Sequence, residues 1–174
     1  REWEKWEAVK ARREVLKQGF EHWKAQHGKP EAQMPEMAYW MLHSLSHLLI
    51  TAVSLECGYS ASAIRERVYV GESGYGILLH TGTSDSEGTL GGLVAAGRNI
   101  RRHLLNALDM GRLCSNDPVC AQHRPVSHEE RHLHGAACHG CLLISETSCE
   151  QFNAFLDRTL VVPTVGGTGT AFFD

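Results

Sequence analysis

The chain has 174 residues, 43% of them apolar and 21% charged, with a net charge of −3 at pH 7. This is the make-up of a globular domain with a real core; it excludes collagen-like, disordered and coiled-coil chains. It also lacks the basic excess of a free-standing nucleic-acid binder, so any contact with DNA must come from a local patch or a partner. Two counts stand out, six Cys and eleven His. Cys114, Cys120, Cys138, Cys141 and Cys149 share one short stretch with His123, His128, His132, His134 and His139.

In chain order, residues 1–27 are charge-rich, with Trp6, Val9, Leu16, Phe20 and Trp23 on one stripe at helical spacing and Arg13 as its odd member. That stripe must dock on the rest of this fold or on a missing part of the parent chain. The chain begins without Met and shows no export signal, so it reads as a piece of a longer cytoplasmic protein. Residues 28–35 carry two prolines and read as a linker. The next run, ending at Gly58, is apolar on nearly every face. His43, Ser44, Ser46 and His47 interrupt it, so it predicts a buried helix and not a membrane span. Ser60 or Ser62 caps a short helix leading into residues 64–67; residues 68–70 and 75–81 then form a hairpin.

A Gly/Ser/Thr loop follows, and then a helix over 100–113 with Ile100, Leu104, Leu105 and Leu108 on its stripe. Asp117-Pro118 reads as an N-cap with Pro at the first helical position. Ser148 and Gln151 read as a capping box opening a final helix, with Phe152, Phe155 and Leu156 inward. The tail offers one short strand and then frays. The fold class is α+β, mainly α: helices around a small hairpin, with a Cys-rich, zinc-binding loop region. Residues 1–35 form an N-terminal helix and linker, 36–162 the domain, and 163–174 a tail.

The cysteines carry the chemistry. A C-x-x-C turn at Cys138 and Cys141 places two thiolates on one side of a tight loop, and a second pair completes a tetrahedral shell for zinc. Disulfides would need an oxidising compartment, and a redox C-x-x-C would follow a strand. Two pairs give Cys114, Cys120, Cys138 and Cys141; Cys149, His134 or His132 could displace one. Cys57 reads as a buried thiol. His43-Ser-Leu-Ser-His47 lacks the Glu of a zinc-protease helix and reads as two core histidines. The Gly-rich loop has no Walker Lys, so it drives no nucleotide motor, and its Asp85 and Glu87 read as solvated. Arg98, Arg101 and Arg102 share one helix face, which suits either phosphate contact or plain solvation.

Four segments carry a resemblance: MLHSLSHLLI, LECGYSASAIRERVYV, SDSEGTLGGLV and HGAACHGCLLISETSCEQFNAFLDR. In this order, over roughly residues 36–162, the chain resembles the C-terminal zinc-binding (MZB) domain of MrfA-type DEAD/DEAH-box helicases. It is more closely similar to the stand-alone form of that domain in the bacterial anti-phage system DISARM. The resemblance implies a Cys-bound structural Zn2+, a DrmA-like helicase partner on a separate or fused chain, and DNA engaged through the complex. Cys138 and Cys141 match the family's zinc cysteines, and Cys149 falls where those helicases also have a Cys. Their earlier cysteines correspond to His132 and His134 here, with Cys114 and Cys120 further upstream. The expected function is a non-catalytic accessory module. A zinc-stiffened scaffold without DNA contact is the alternative, and a zinc hydrolase using Glu146 or Glu150 as base is a third.

Overall fold

Helix α1 (Glu7–His27) follows its apolar stripe, burying Val9, Leu16 and Phe20 together with Arg12 and Gly19. Trp6 is half exposed, and Trp23 stacks on Phe20 with ring centroids 5.8 Å apart. Gly28, at φ 59°, ends the helix. The stripe docks on this chain's own fold. A Cβ on Gly19 would lie 2.4 Å from the His132 carbonyl, and Arg12 Nε donates to Asp157 Oδ2 at 2.6 Å. The computed structural model describes residues 2–58, 60–81, 90–125 and 131–174.

Helix α2 (Met37–Cys57) is the centre of the molecule, buried on nearly every face and closed by Gly58 at φ 72°. Its core partners include Leu16, Ala107, Leu142, Leu156 and Leu160. The buried polar residues of α2 receive the irregular second half of the chain. Ser44 Oγ accepts the Asp157 N–H at 2.8 Å, and His47 Nδ1 donates to the Leu142 carbonyl at 2.8 Å. His43 Nδ1 donates to the Phe155 carbonyl at 3.3 Å. Buried polar groups need such partners, which explains why an apolar helix carries them.

Ser60 caps one turn of 3-10 helix, Ala61–Ala63, and the chain then goes straight into β1 (Ile64–Gly71). The short helix expected to lead into residues 64–67 is this single turn, and the strand expected over 68–70 already begins at Ile64, its side chains alternating between buried and exposed. Strand β2 (Gly74–Thr81) pairs with it antiparallel across a two-residue turn, Ile64 opposite Thr81. The Gly/Ser/Thr loop with Asp85 and Glu87 lies outside the described residues.

Helices α3 (Leu90–Arg98) and α4 (Ile100–Gly111) meet at Asn99. On α4 the inward face is His103, Ala107 and Gly111, with Leu104 and Leu108 half-buried; Ile100 and Leu105 point outward. The expected stripe is thus rotated, because small residues are what let α4 approach α2. Cys57, expected buried, is exposed.

Beyond α4 the described chain is turns. Asp117 Oδ1 and Oδ2 accept the Ala121 and Cys114 N–H groups, so Asp117 caps a turn, not a helix. No α-helix follows Ser148 either, only a single 3-10 turn at Arg158–Leu160. Glu146–Ser148 is one 3-10 turn, and Phe152, Asn153 and Phe155 take left-handed backbone angles that a right-handed helix cannot contain. Leu156 is inward as expected, whereas Phe152 is exposed. The tail forms no strand. It is tied down instead: Trp3 Nε1 donates to the Thr170 carbonyl, and the Phe172 and Phe173 N–H groups bond to Leu160 and Val161 carbonyls. The class is α+β and mainly α, as the sequence predicted.

Candidate metal centre

Two turns bring four thiols together. Cys114 and Cys120 flank the turn that Asp117 caps, and Cys138 and Cys141 flank a tight turn in which the Cys138 carbonyl accepts N–H groups of Cys141, Leu142 and Leu143. The four Sγ atoms all lie within 4.8 Å of one another. Cys114 and Cys138 are 3.4 Å apart, Cys120 and Cys141 3.7 Å, and Cys138 and Cys141 3.7 Å. None of these is a disulfide separation, and the cysteines are free. A tetrahedral ion with metal–sulfur bonds of about 2.3 Å sets its sulfurs about 3.8 Å apart. The cluster fits such an ion.

Its surroundings suit thiolates. The Asn116 N–H and Asn116 Nδ2 donate to Cys114 Sγ and Cys138 Sγ. The Arg158 guanidinium lies beside Cys120 and Cys141, is itself fully buried, donates to the Gly111 carbonyl at 2.9 Å and pairs with Asp117. Cys120 is drawn down to about 6, first by a hydrogen bond from the Cys141 thiol and further by the Arg158 charge. Cys141, donating into that bond, is pushed far up, and burial pushes Cys114 up to about 11. One thiolate forms readily among the four; ionising all of them calls for a cation at the centre.

The other residues singled out in the sequence lie elsewhere. Cys149 is buried beside His43, His47 and Glu66. His134 Nε2 donates to the Asn153 carbonyl, and His132 packs on the His22 ring. Arg98 closes α3, while Arg101 and Arg102 open α4 across Asn99; all three are exposed, and Arg102 pairs with Glu56. Glu150 accepts from Tyr39 Oη and the Val68 N–H. Arg158 and Asp117 escaped sequence reasoning as partners of the cysteines, because they meet across 41 positions of chain.

This arrangement, a long buried helix carrying a turn-rich cluster of four cysteines, has a family. Residues 45–142, which include all four clustered cysteines, match the MrfA Zn-binding domain, and the chain belongs to that family. Over 140 residues, 79% of its length, it is 46% identical to the DISARM protein DrmB of Bacillus paralicheniformis. The chain spans 25% of that relative's length. Among the described residues, no helix is long and apolar enough to cross a membrane.

Proposed function

We propose that Cys114, Cys120, Cys138 and Cys141 hold one structural zinc ion, and that the chain is the zinc-binding part of a DISARM defence protein. The observation that carries this reading is the convergence of four free thiols from two separate turns at tetrahedral spacing. Bound zinc would neutralise the thiolates and tie the two turns together. Four sulfur ligands leave no open position for substrate, so the module is non-catalytic and its work is accessory. Residues 36–162 make up the module, with the helix of residues 1–35 and the tail of 163–174 laid against it. The protein is cytoplasmic, where thiols stay reduced.

In this reading the motor is a DrmA-like helicase, and the module docks on it and helps it hold DNA. Arg98 and Arg101, both exposed, extend the cationic track of the complex. A second reading has a specific observation in its favour: Arg102 is already paired with Glu56, which takes one cation out of that track. On that reading the zinc stiffens a protein–protein surface and DNA is not touched. Substituting Arg98 and Arg101 by Ala separates the two. Loss of two phosphate contacts lowers the log–log salt slope of DNA binding by the complex by about 2. An unchanged affinity and slope establish the scaffold. Metal analysis tests the zinc: one equivalent on these four cysteines, lost in Cys138→Ser, is expected, and retention of that ion in Cys138→Ser would overturn the assignment.

A further inference from the structure

We propose that His43, His47, Glu66 and Cys149 form a second metal site, buried and four-coordinate, for a borderline-soft divalent ion such as zinc. The four side chains come from three parts of the fold. His43 and His47 are one turn apart on α2, Glu66 is on the inward face of β1, and Cys149 follows the Glu146–Ser148 turn. They are 0%, 0%, 3% and 5% exposed, and one ligand atom of each lies within 4.8 Å of the others. His43 Nε2 is 3.0 Å from Glu66 Oε1 and 3.1 Å from Cys149 Sγ, and His47 Nε2 is 3.9 Å from Glu66 Oε1. A tetrahedral ion with bonds of about 2.0–2.3 Å needs separations of roughly 3.3–3.6 Å, in the middle of that range.

The hydrogen bonds around the cluster define what it lacks. A carbonyl can only accept, so the Leu142 and Phe155 carbonyls fix the protons of His47 and His43 on Nδ1. Both Nε2 lone pairs are thereby turned toward a carboxylate oxygen and a sulfur. His47 Nε2 and Glu66 Oε1 are fully buried and have no hydrogen-bond partner. The other carboxylate oxygen, Oε2, is held by Ser46 Oγ at 2.6 Å, which aims Oε1 into the cluster. Cys149 Sγ accepts the N–H groups of Gln151 and Asn153, the latter at 3.2 Å, an environment for a thiolate.

A single proton does not resolve this set. Placed on His43 Nε2, it serves one of two acceptors and leaves His47 Nε2 bare. One divalent cation satisfies all four atoms at once, and with one carboxylate and one thiolate the buried site is neutral. Two imidazoles, a thiolate and a carboxylate suit zinc, not Mg2+ or Ca2+, which take oxygen ligands. Backbone carbonyls on the far nitrogens of both histidines are the usual outer support of metal-bound His. Four protein ligands make the site structural, pinning α2, β1 and the Cys149 loop together.

The test uses the whole chain: metal stoichiometry by mass spectrometry, and 113Cd NMR of the cadmium-loaded protein. Two equivalents are expected, with one resonance in the four-sulfur region and one far upfield for a site with a single sulfur. Cys149→Ala and Glu66→Gln each lower the stoichiometry from two to one and remove the upfield resonance alone; Cys138→Ser removes the other. One equivalent in the wild type, without an upfield resonance, overturns the proposal, as do two equivalents that survive Cys149→Ala. The wild-type measurement decides even where a variant fails to fold. A wild-type spectrum with the upfield resonance but none in the four-sulfur region would count against the four-cysteine reading alone.

Discussion

Arg158 is a residue on which fold and site both depend. Its guanidinium sits among the Gly111 carbonyl, the Asp117 carboxylate and two cysteine sulfurs, with no solvent exposure. Arg158→Leu would strand Asp117, whose side chain is 9% exposed, as an uncompensated buried charge. Breaking such a pair from one side costs about 3–5 kcal/mol. Denaturant unfolding in zinc-replete buffer should show this loss, with metal competition showing weaker binding; wild-type stability would mean the pair contributes nothing. His134 supplies a pH-dependent term. Burial, and secondarily the Arg131 charge, hold it down to about 4, whereas unfolded histidine titrates near 6.5. Below pH 6.5 the unfolded chain takes up a proton that the folded one refuses, so stability is full above that pH, falls as the pH drops toward 4, and levels off below it. Acid also displaces metal from thiolates, so the readout is the difference between wild type and His134→Gln. The variant should lose stability less steeply between pH 6.5 and 4; parallel curves would assign the acid sensitivity to other groups.

Among the elements, α2, the hairpin and the Cys138–Cys141 turn were legible in the sequence because their signals are local: unbroken apolarity, β composition around a short turn, and ligand spacing. Glu66 was legible in principle, since alternation along IRERVYV puts it inward between Ile64 and Val68. What the sequence hid was long-range. The α4 stripe read as Ile100, Leu104, Leu105 and Leu108; Leu104 and Leu108 do pack on the core, but the fully buried face is His103, Ala107 and Gly111. A Cβ on Gly111 would lie 2.8 Å from a Leu48 methyl and 3.0 Å from one of Val162. Gly111→Ala should therefore destabilise by about 1–3 kcal/mol through overpacking. Gly97, in α3, has open space where its Cβ would stand, so Gly97→Ala should be neutral or stabilising by up to about 1 kcal/mol. Paired denaturation curves check this, and equal effects of the two substitutions would contradict it. The missing final helix has the same kind of cause. Asn153 uses its side chain on the Ile144 backbone in a left-handed conformation, and no local pattern announces that.

For the whole molecule, the second half of the described chain has little regular structure, and it is bonded to α2 through Ser44, His47 and His43. With a net charge of −3 the isolated chain should bind DNA weakly, and a filter or anisotropy titration at physiological salt should show no tight complex. The central claim is that four cysteines hold a metal ion and not two disulfides. Its most direct test is the mass of the intact chain, purified under non-reducing conditions, compared between native and denaturing spectra. A metal adduct that disappears on denaturation is predicted, with all six cysteines then open to alkylation and the adduct on Cys114, Cys120, Cys138 and Cys141 absent from Cys138→Ser. A metal-free native mass, with Cys114 bonded to Cys138 or Cys120 to Cys141 and closed to alkylation, would contradict it.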